Sequence, residues 1–129
     1  MKLTDLMIND WVTVYIDNDV FYGRISMLNA DNKVGIKFRN NERTLTHYVT
    51  TVNRIYPIDL QSNLLTENGW RIIRDYFIYD SNGYLERLKL NKDEIPYVHN
   101  FQHILRIMNL NELADLFMVD DVEPIIDDI

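Results

Sequence analysis

Trp11-Val12-Thr13-Val14-Tyr15-Ile16, closed by Asp17-Asn18-Asp19, is the stretch that decides the fold. A run of aromatic and β-branched residues has the composition of a strand. Val12, Val14 and Ile16 share one of its faces, and the Asp-Asn-Asp that follows is a turn signal. Outward from there the pattern repeats. Residues 20–28 resume a strand that contains Gly23, where a glycine marks a bulge or sharp bend. Asn29-Ala30-Asp31-Asn32 turns the chain. Residues 33–39 alternate, with Val34, Ile36 and Phe38 on one side and Lys33, Lys37 and Arg39 on the other. Asn40-Asn41-Glu42 turns it again, residues 43–49 return, and residues 53–58 give a fifth short strand stopped by Pro57. Five short strands with tight loops predict a partly closed antiparallel barrel rather than an open sheet.

Beyond Ile58 the signals change. Residues 59–69 read as a short helix, capped by Asp59 or Ser62 and ended by Gly69 at the position of a C′ glycine. Residues 70–79 read as one long strand, apolar on both faces. Asp80-Ser81-Asn82-Gly83 is a strong turn, and residues 84–90 pair back as a hairpin. Pro96 suits the first turn of a helix. Along that helix Tyr97, Val98, Phe101, Ile104, Leu105 and Met108 form one apolar stripe. Asn111 caps a last short helix carrying Leu113, Leu116 and Phe117. The predicted class is α+β: an N-terminal SH3-like antiparallel β-barrel over 1–58, a C-terminal β-hairpin/helix lobe over 59–117, and an acidic tail over 118–129.

Composition narrows the chemistry. The chain has no cysteine, which excludes a disulfide framework, a thiolate nucleophile and Cys-ligated metals. Hydrophobic residues make up 47% of its 129 residues, enough for one domain with a small second lobe. No run approaches the roughly 18 apolar residues of a membrane span. Met1-Lys2-Leu3-Thr4-Asp5 does not begin a signal peptide. The expectation is a soluble, cytoplasmic protein with no membrane partner. The net charge of −7 is uneven: residues 1–58 hold seven bases and six acids, and residues 118–129 hold five acids and no base. Net acidity repels phosphate polymers at long range.

Three blocks resemble a set of small uncharacterised proteins of gut Bacteroidales and their phages or mobile elements. Leu6-Met7-Ile8-Asn9-Asp10-Trp11-Val12 resembles their opening, where Gly is usual at the place of Asn9. Ile55-Tyr56-Pro57-Ile58-Asp59-Leu60, then Leu64-Leu65 and Asn68-Gly69-Trp70, resembles their Pro-Ile-Pro-Leu helix and its Asn-Gly-aromatic exit. Ile95-Pro96-Tyr97-Val98-His99-Asn100-Phe101-Gln102 resembles their Tyr-Val-His-x-x-Gln helix start. The resemblance implies a barrel followed by a hairpin-and-helix lobe and implies no activity. The acidic tail lies outside it, and Asn9 keeps a residue tolerant of left-handed geometry.

Candidate chemistry falls into three groups. His99 and His103 stand four apart on a helix, a metal-ligating spacing. They fall opposite the apolar stripe beside Arg106, whose cation opposes a metal, so a solvated polar face is the expectation and no metal site is assigned. Lys33, Lys37, Arg39 and Arg43 cluster on one hairpin with Tyr22 and Arg24 near them. Bases and aromatics on a β-face suit single-stranded nucleic acid; they also keep a sheet soluble. Asp120, Asp121, Glu123, Asp127 and Asp128, interspersed with Val and Ile, suit docking on a basic partner. There is no nucleophile elbow, phosphate-binding glycine loop or metal-protease motif. The leading expectation is a non-enzymatic accessory protein without cofactor that binds another protein, through the loops at 17–19, 29–32 and 40–42 and through Asp120, Asp121, Glu123, Asp127 and Asp128. The alternative is nucleic-acid binding through Lys37, Arg39 and Arg43.

Overall fold

Asp17, in the left-handed region at φ 55°, turns β1 (Trp11–Ile16) directly onto β2 (Asp19–Leu28). The next two turns repeat one device. The side-chain oxygen of Asn29 accepts the amides of Asp31 and Lys33 on either side of left-handed Asn32; that of Asn40 accepts those of Glu42 and Thr44 on either side of left-handed Arg43. They lead into β3 (Lys33–Arg39) and β4 (Leu45–Thr51). A 3₁₀ turn, Val52–Arg54, then brings β5 (Ile55–Tyr56) back beside β1. The computed structural model describes residues 1–81 and 83–126. Among them, eight strands form antiparallel sheets and there are three α-helices, a mixed α+β fold.

The first sheet has the order β4-β3-β2-β1-β5. Its inner face carries Val12, Val14, Ile25, Val34, Ile36, Phe38 and Ile55, which with Leu6 and Val52 make a buried apolar core. The β2 bulge falls at Ser26, between Ile25 and Met27, not at Gly23. Gly23 answers to crowding instead: a Cβ there would come within 2.5 Å of Ile36 Cγ2 and 2.9 Å of the Lys37 carbonyl oxygen.

The second sheet, β6-β7-β8, departs from the expected long strand. Residues 70–79 are β6 (Trp70–Ile73), a turn, and the start of β7 (Tyr76–Ser81), with β8 (Tyr84–Lys89) returning. The turn is Arg74-Asp75, with Arg74 at φ 57°. No Gly, Pro or Asn marks it, and the apolar residues on both sides of Arg74-Asp75 read as one continuous strand. The first helix is α1 (Ser62–Glu67), shorter than expected and capped by neither Asp59 nor Ser62; Gly69 follows it at φ 84° as a C′ glycine does. Helix α2 (Val98–Ile107) begins after Pro96, with Tyr97 as its N-cap, and α3 (Asn111–Leu116) follows.

A second core joins Trp70, Phe77, Tyr79 and Leu88 of the second sheet to Val98, Phe101 and Leu105 of α2 and to Leu113, Ala114 and Phe117. Trp11 belongs to this core, as does Val122 from the predicted tail, each with no exposed surface. Trp11 thus carries the outer face of the first sheet into the second core. Among the described residues no helix is long and apolar enough to cross a membrane.

Candidate interaction site

In an antiparallel sheet, residues paired across strands project to the same side. The register Trp11–Arg24–Lys37 therefore sets these three side by side on the outer face, followed by Tyr22, Thr13 and Tyr56, then Tyr15 and Val20. One end of this face is covered and the other is bare.

The covered end lies under residues 117–125. Trp11 Nε1 donates to the Phe117 carbonyl at 2.6 Å, and Arg24 Nη2 donates to the same oxygen at 3.1 Å. Asn68 takes both polar groups of Met118, accepting its amide at 2.7 Å and donating to its carbonyl at 2.9 Å. Arg43 forks onto the Asp120 carboxylate at 2.8 and 3.0 Å. The chain then runs back along β3. Arg39 Nε donates to the Asp121 carbonyl at 2.9 Å, Arg24 Nε to that of Val122 at 2.8 Å, and Lys37 Nζ to that of Glu123 at 2.8 Å. At the far end Asn9, itself left-handed at φ 72°, accepts the Ile125 amide at 2.7 Å and donates to its carbonyl at 2.9 Å.

Arg24 is the centre of this arrangement. It is fully buried, stacks its guanidinium 4.5 Å from the Trp11 ring, and meets carbonyl oxygens rather than a carboxylate. Burial lowers its pKa to about 10, which leaves it charged at neutral pH. The rim is different. The hydrogen bond from Arg43 holds the Asp120 carboxyl below its ordinary value and raises Arg43, and both groups touch solvent.

The three sequence-selected bases, Lys37, Arg39 and Arg43, and the described acids, Asp120, Asp121 and Glu123, are thus brought together on one surface. Only Asp120 meets its base through its carboxylate; Asp121 and Glu123 contribute main-chain carbonyls and keep exposed side chains. Asp127 and Asp128 lie outside the described residues. Lys33 stands at the opposite end of β3, across from Thr51.

The bare end holds Tyr15, Tyr22, Tyr56 and Val20, each about half exposed, with Tyr15 and Tyr56 edge to face at 5.2 Å between centroids. A cleft of about 220 Å³ joins it to the covered end, bordered by Val20, Tyr22, Arg39, Arg43 and Asp120.

The predicted polar face of α2 is not solvated. Asp10, with no exposed surface, accepts from Arg106 Nη1 at 2.6 Å and from the Met7 amide at 2.7 Å, and lies 2.5 Å from His103 Nε2. Gln102 is buried beside it, accepting the Trp11 amide and donating to the Asn9 and Ala114 carbonyls. His99 is buried too, and burial lowers its pKa. Its ring stacks on Tyr97 and borders a cleft of about 400 Å³ with Asp5, Asn100 and His103. Among the described residues no three His, Asp or Glu side chains are grouped to hold a metal. Helical periodicity placed these side chains correctly on one side of α2. It carried no sign that the first sheet would cover that side through Asp10.

No family model, curated protein or solved structure matches this chain.

Proposed function

We propose that this is a non-enzymatic interaction protein that binds another protein, and that the bare end of the outer face is its docking surface. The observation that carries this reading is the half-exposed cluster Tyr15, Val20, Tyr22 and Tyr56 beside Arg39 and Arg43. Tyrosine and arginine are the residues that supply most binding energy at interfaces, and a partner seated here would bury the cluster. The scaffold is, in this reading, a partly open SH3-like barrel. The strand order, with β5 returning to β1, and a single apolar core on one face of the sheet support that description. Cysteine-free composition favours a cytoplasmic setting, and the resemblance favours a gut bacterium or its phage as the source.

The test is a photo-crosslinking residue placed at Tyr22 and, as a control, at Leu85 on β8. The expected result is a discrete product from position 22 alone, lost when Tyr15 and Tyr56 are replaced by Ser. Equal products from both positions, or none from position 22, overturn the assignment.

The second reading is nucleic-acid binding through Lys37, Arg39 and Arg43, favoured by Tyr22 on the same face. Here the phosphates compete with residues 120–123, which already occupy the three bases. Binding of labelled single-stranded oligonucleotides at two salt concentrations tests it; absence of a salt-sensitive affinity ends it.

A further inference from the structure

We infer that residues 120–125 are an internal occupant of a peptide-binding groove, and that an acid-bearing segment of a partner polypeptide takes their place. This rests on the protein-binding reading above and names the chemistry of the partner.

The groove reads a main chain. Arg39, Arg24 and Lys37 each take a carbonyl oxygen, from Asp121, Val122 and Glu123 in turn. Asn9 takes both the N–H and the C=O of Ile125. A polynucleotide offers phosphate oxygens in abundance, but its backbone has no N–H to meet Asn9 Oδ1. A polypeptide main chain supplies the alternating N–H and C=O groups of this set from its repeating unit. The same surface that looked suited to phosphates is therefore matched, group by group, to peptide units.

Side-chain selectivity enters at two points. Arg43 grips a carboxylate at position 120 in a bidentate fork, and the side chain two residues on, Val122, is wholly buried in the second core. The fitting segment thus carries an acid followed two residues later by a β-branched residue. The internal occupant is anchored at Val122, in the second core and on buried Arg24, while its contacts along the rim are open to water. Its hydrogen bonds to Lys37, Arg39 and Arg43 are solvent-exposed, residues 120–125 join no strand, and the 220 Å³ cleft beside Asp120 opens one side of the groove.

Tethering gives the internal segment an effective concentration of order millimolar, so an external segment gains access when the tail is weakened or when its own contacts extend onto the tyrosines. The probe is a fluorescent decapeptide with the sequence of residues 117–126. It is titrated by anisotropy into the native chain and into full-length D120S/V122S, whose folding is checked by circular dichroism. The expected result is binding to the weakened-tail chain roughly 10²-fold tighter than to the native chain. A decapeptide with the same two substitutions is expected to bind neither, and a single-stranded oligonucleotide not to compete. Equal binding to both chains, or a folded D120S/V122S that ignores the peptide, overturns the inference. Competition by the oligonucleotide overturns it in favour of nucleic acid. Should D120S/V122S not fold, the native chain decides: the decapeptide at several millimolar must speed exchange of the Ile125 amide, and unchanged exchange overturns the inference. Crosslinking at Tyr22 that survives any of these failures shows that only the groove, not protein binding, has been lost.

Discussion

The inner and outer faces of the five-stranded sheet are held by different physics. The inner face is apolar and local in origin: Val12, Val14, Ile25, Val34, Ile36 and Phe38 come from three consecutive strands and meet one another. Their burial is non-directional and tolerant of small shifts. The outer face is polar and assembled from the whole chain. Asn9 meets Ile125, Arg24 meets Val122, and Asp10 meets His103 and Arg106. Such contacts are directional, and a missing partner leaves a desolvated group behind. Burial makes the sheet; satisfied polar groups make the groove.

The comparison is tested most strongly by one substitution on each side. Ile36→Ala on the inner face should cost about 2–5 kcal/mol, through lost burial and the cavity left behind. Asp10→Ala should cost about 3 kcal/mol, near the low end for breaking a buried ion pair because His103 and Arg106 keep some solvent contact. Chemical denaturation measures both. The folded-state tryptophan fluorescence separates them: Trp11, the residue next to Asp10 in the chain and bonded through its amide to Gln102, should report Asp10→Ala and ignore Ile36→Ala. An Asp10→Ala cost below about 1 kcal/mol, the range of an exposed pair, would mean that burial alone secures both faces.

This division also explains what the sequence disclosed. Alternation at 33–39 reveals the inner face because side chains of period two need only neighbouring strands to be buried. Asn9 was legible as a residue tolerant of left-handed geometry, which it adopts, but not as a partner of Ile125; Gln102 was visible only within a helix start, and Arg24 only as a base near a cluster. Nothing local says that a carbonyl from residue 122 will meet a guanidinium from residue 24. The bases were expected to meet nucleic acid and the acids a basic partner, so nothing foretold that the two segments meet each other; only Asp120 does so through its carboxylate, and the main-chain carbonyls of Asp121 and Glu123 are invisible to a reading of side chains. The Arg74-Asp75 turn was hidden for a similar reason, since left-handed geometry at an arginine leaves no compositional mark.

A smaller effect should appear with pH. Burial holds the His99 imidazole below its ordinary value, so the unfolded chain takes up a proton first as pH falls. The stability that this neutral ring contributes is whole above the unfolded value of about 6.5 and is lost as pH drops through the folded one. Unfolding free energies measured from about pH 7.5 to pH 5 should therefore decline in the native chain and decline less steeply in His99→Gln. Identical slopes would show that the polar side of α2 is not sealed against the first sheet, and the outer face would lose part of its claim to be a buried polar interface.

The smallest effect belongs to the rim. Asp120 sits below its ordinary carboxyl value because Arg43 donates to it, so its contribution is present above about pH 4 and is lost as pH falls through the folded value. Both side chains are open to water, where screening leaves such pairs little net weight. Asp120→Asn should leave Tm unchanged within error. It should nevertheless loosen residues 120–125 from the groove, because the fork on Arg43 is what fixes their entry point. Amide exchange at Ile125 should quicken in Asp120→Asn, and about 1 M salt should bring the native chain toward the same rate by screening the pair. If Tm instead fell as far as in Asp10→Ala, the rim would be as cohesive as the buried floor. The internal segment could not then leave without unfolding the sheet beneath it.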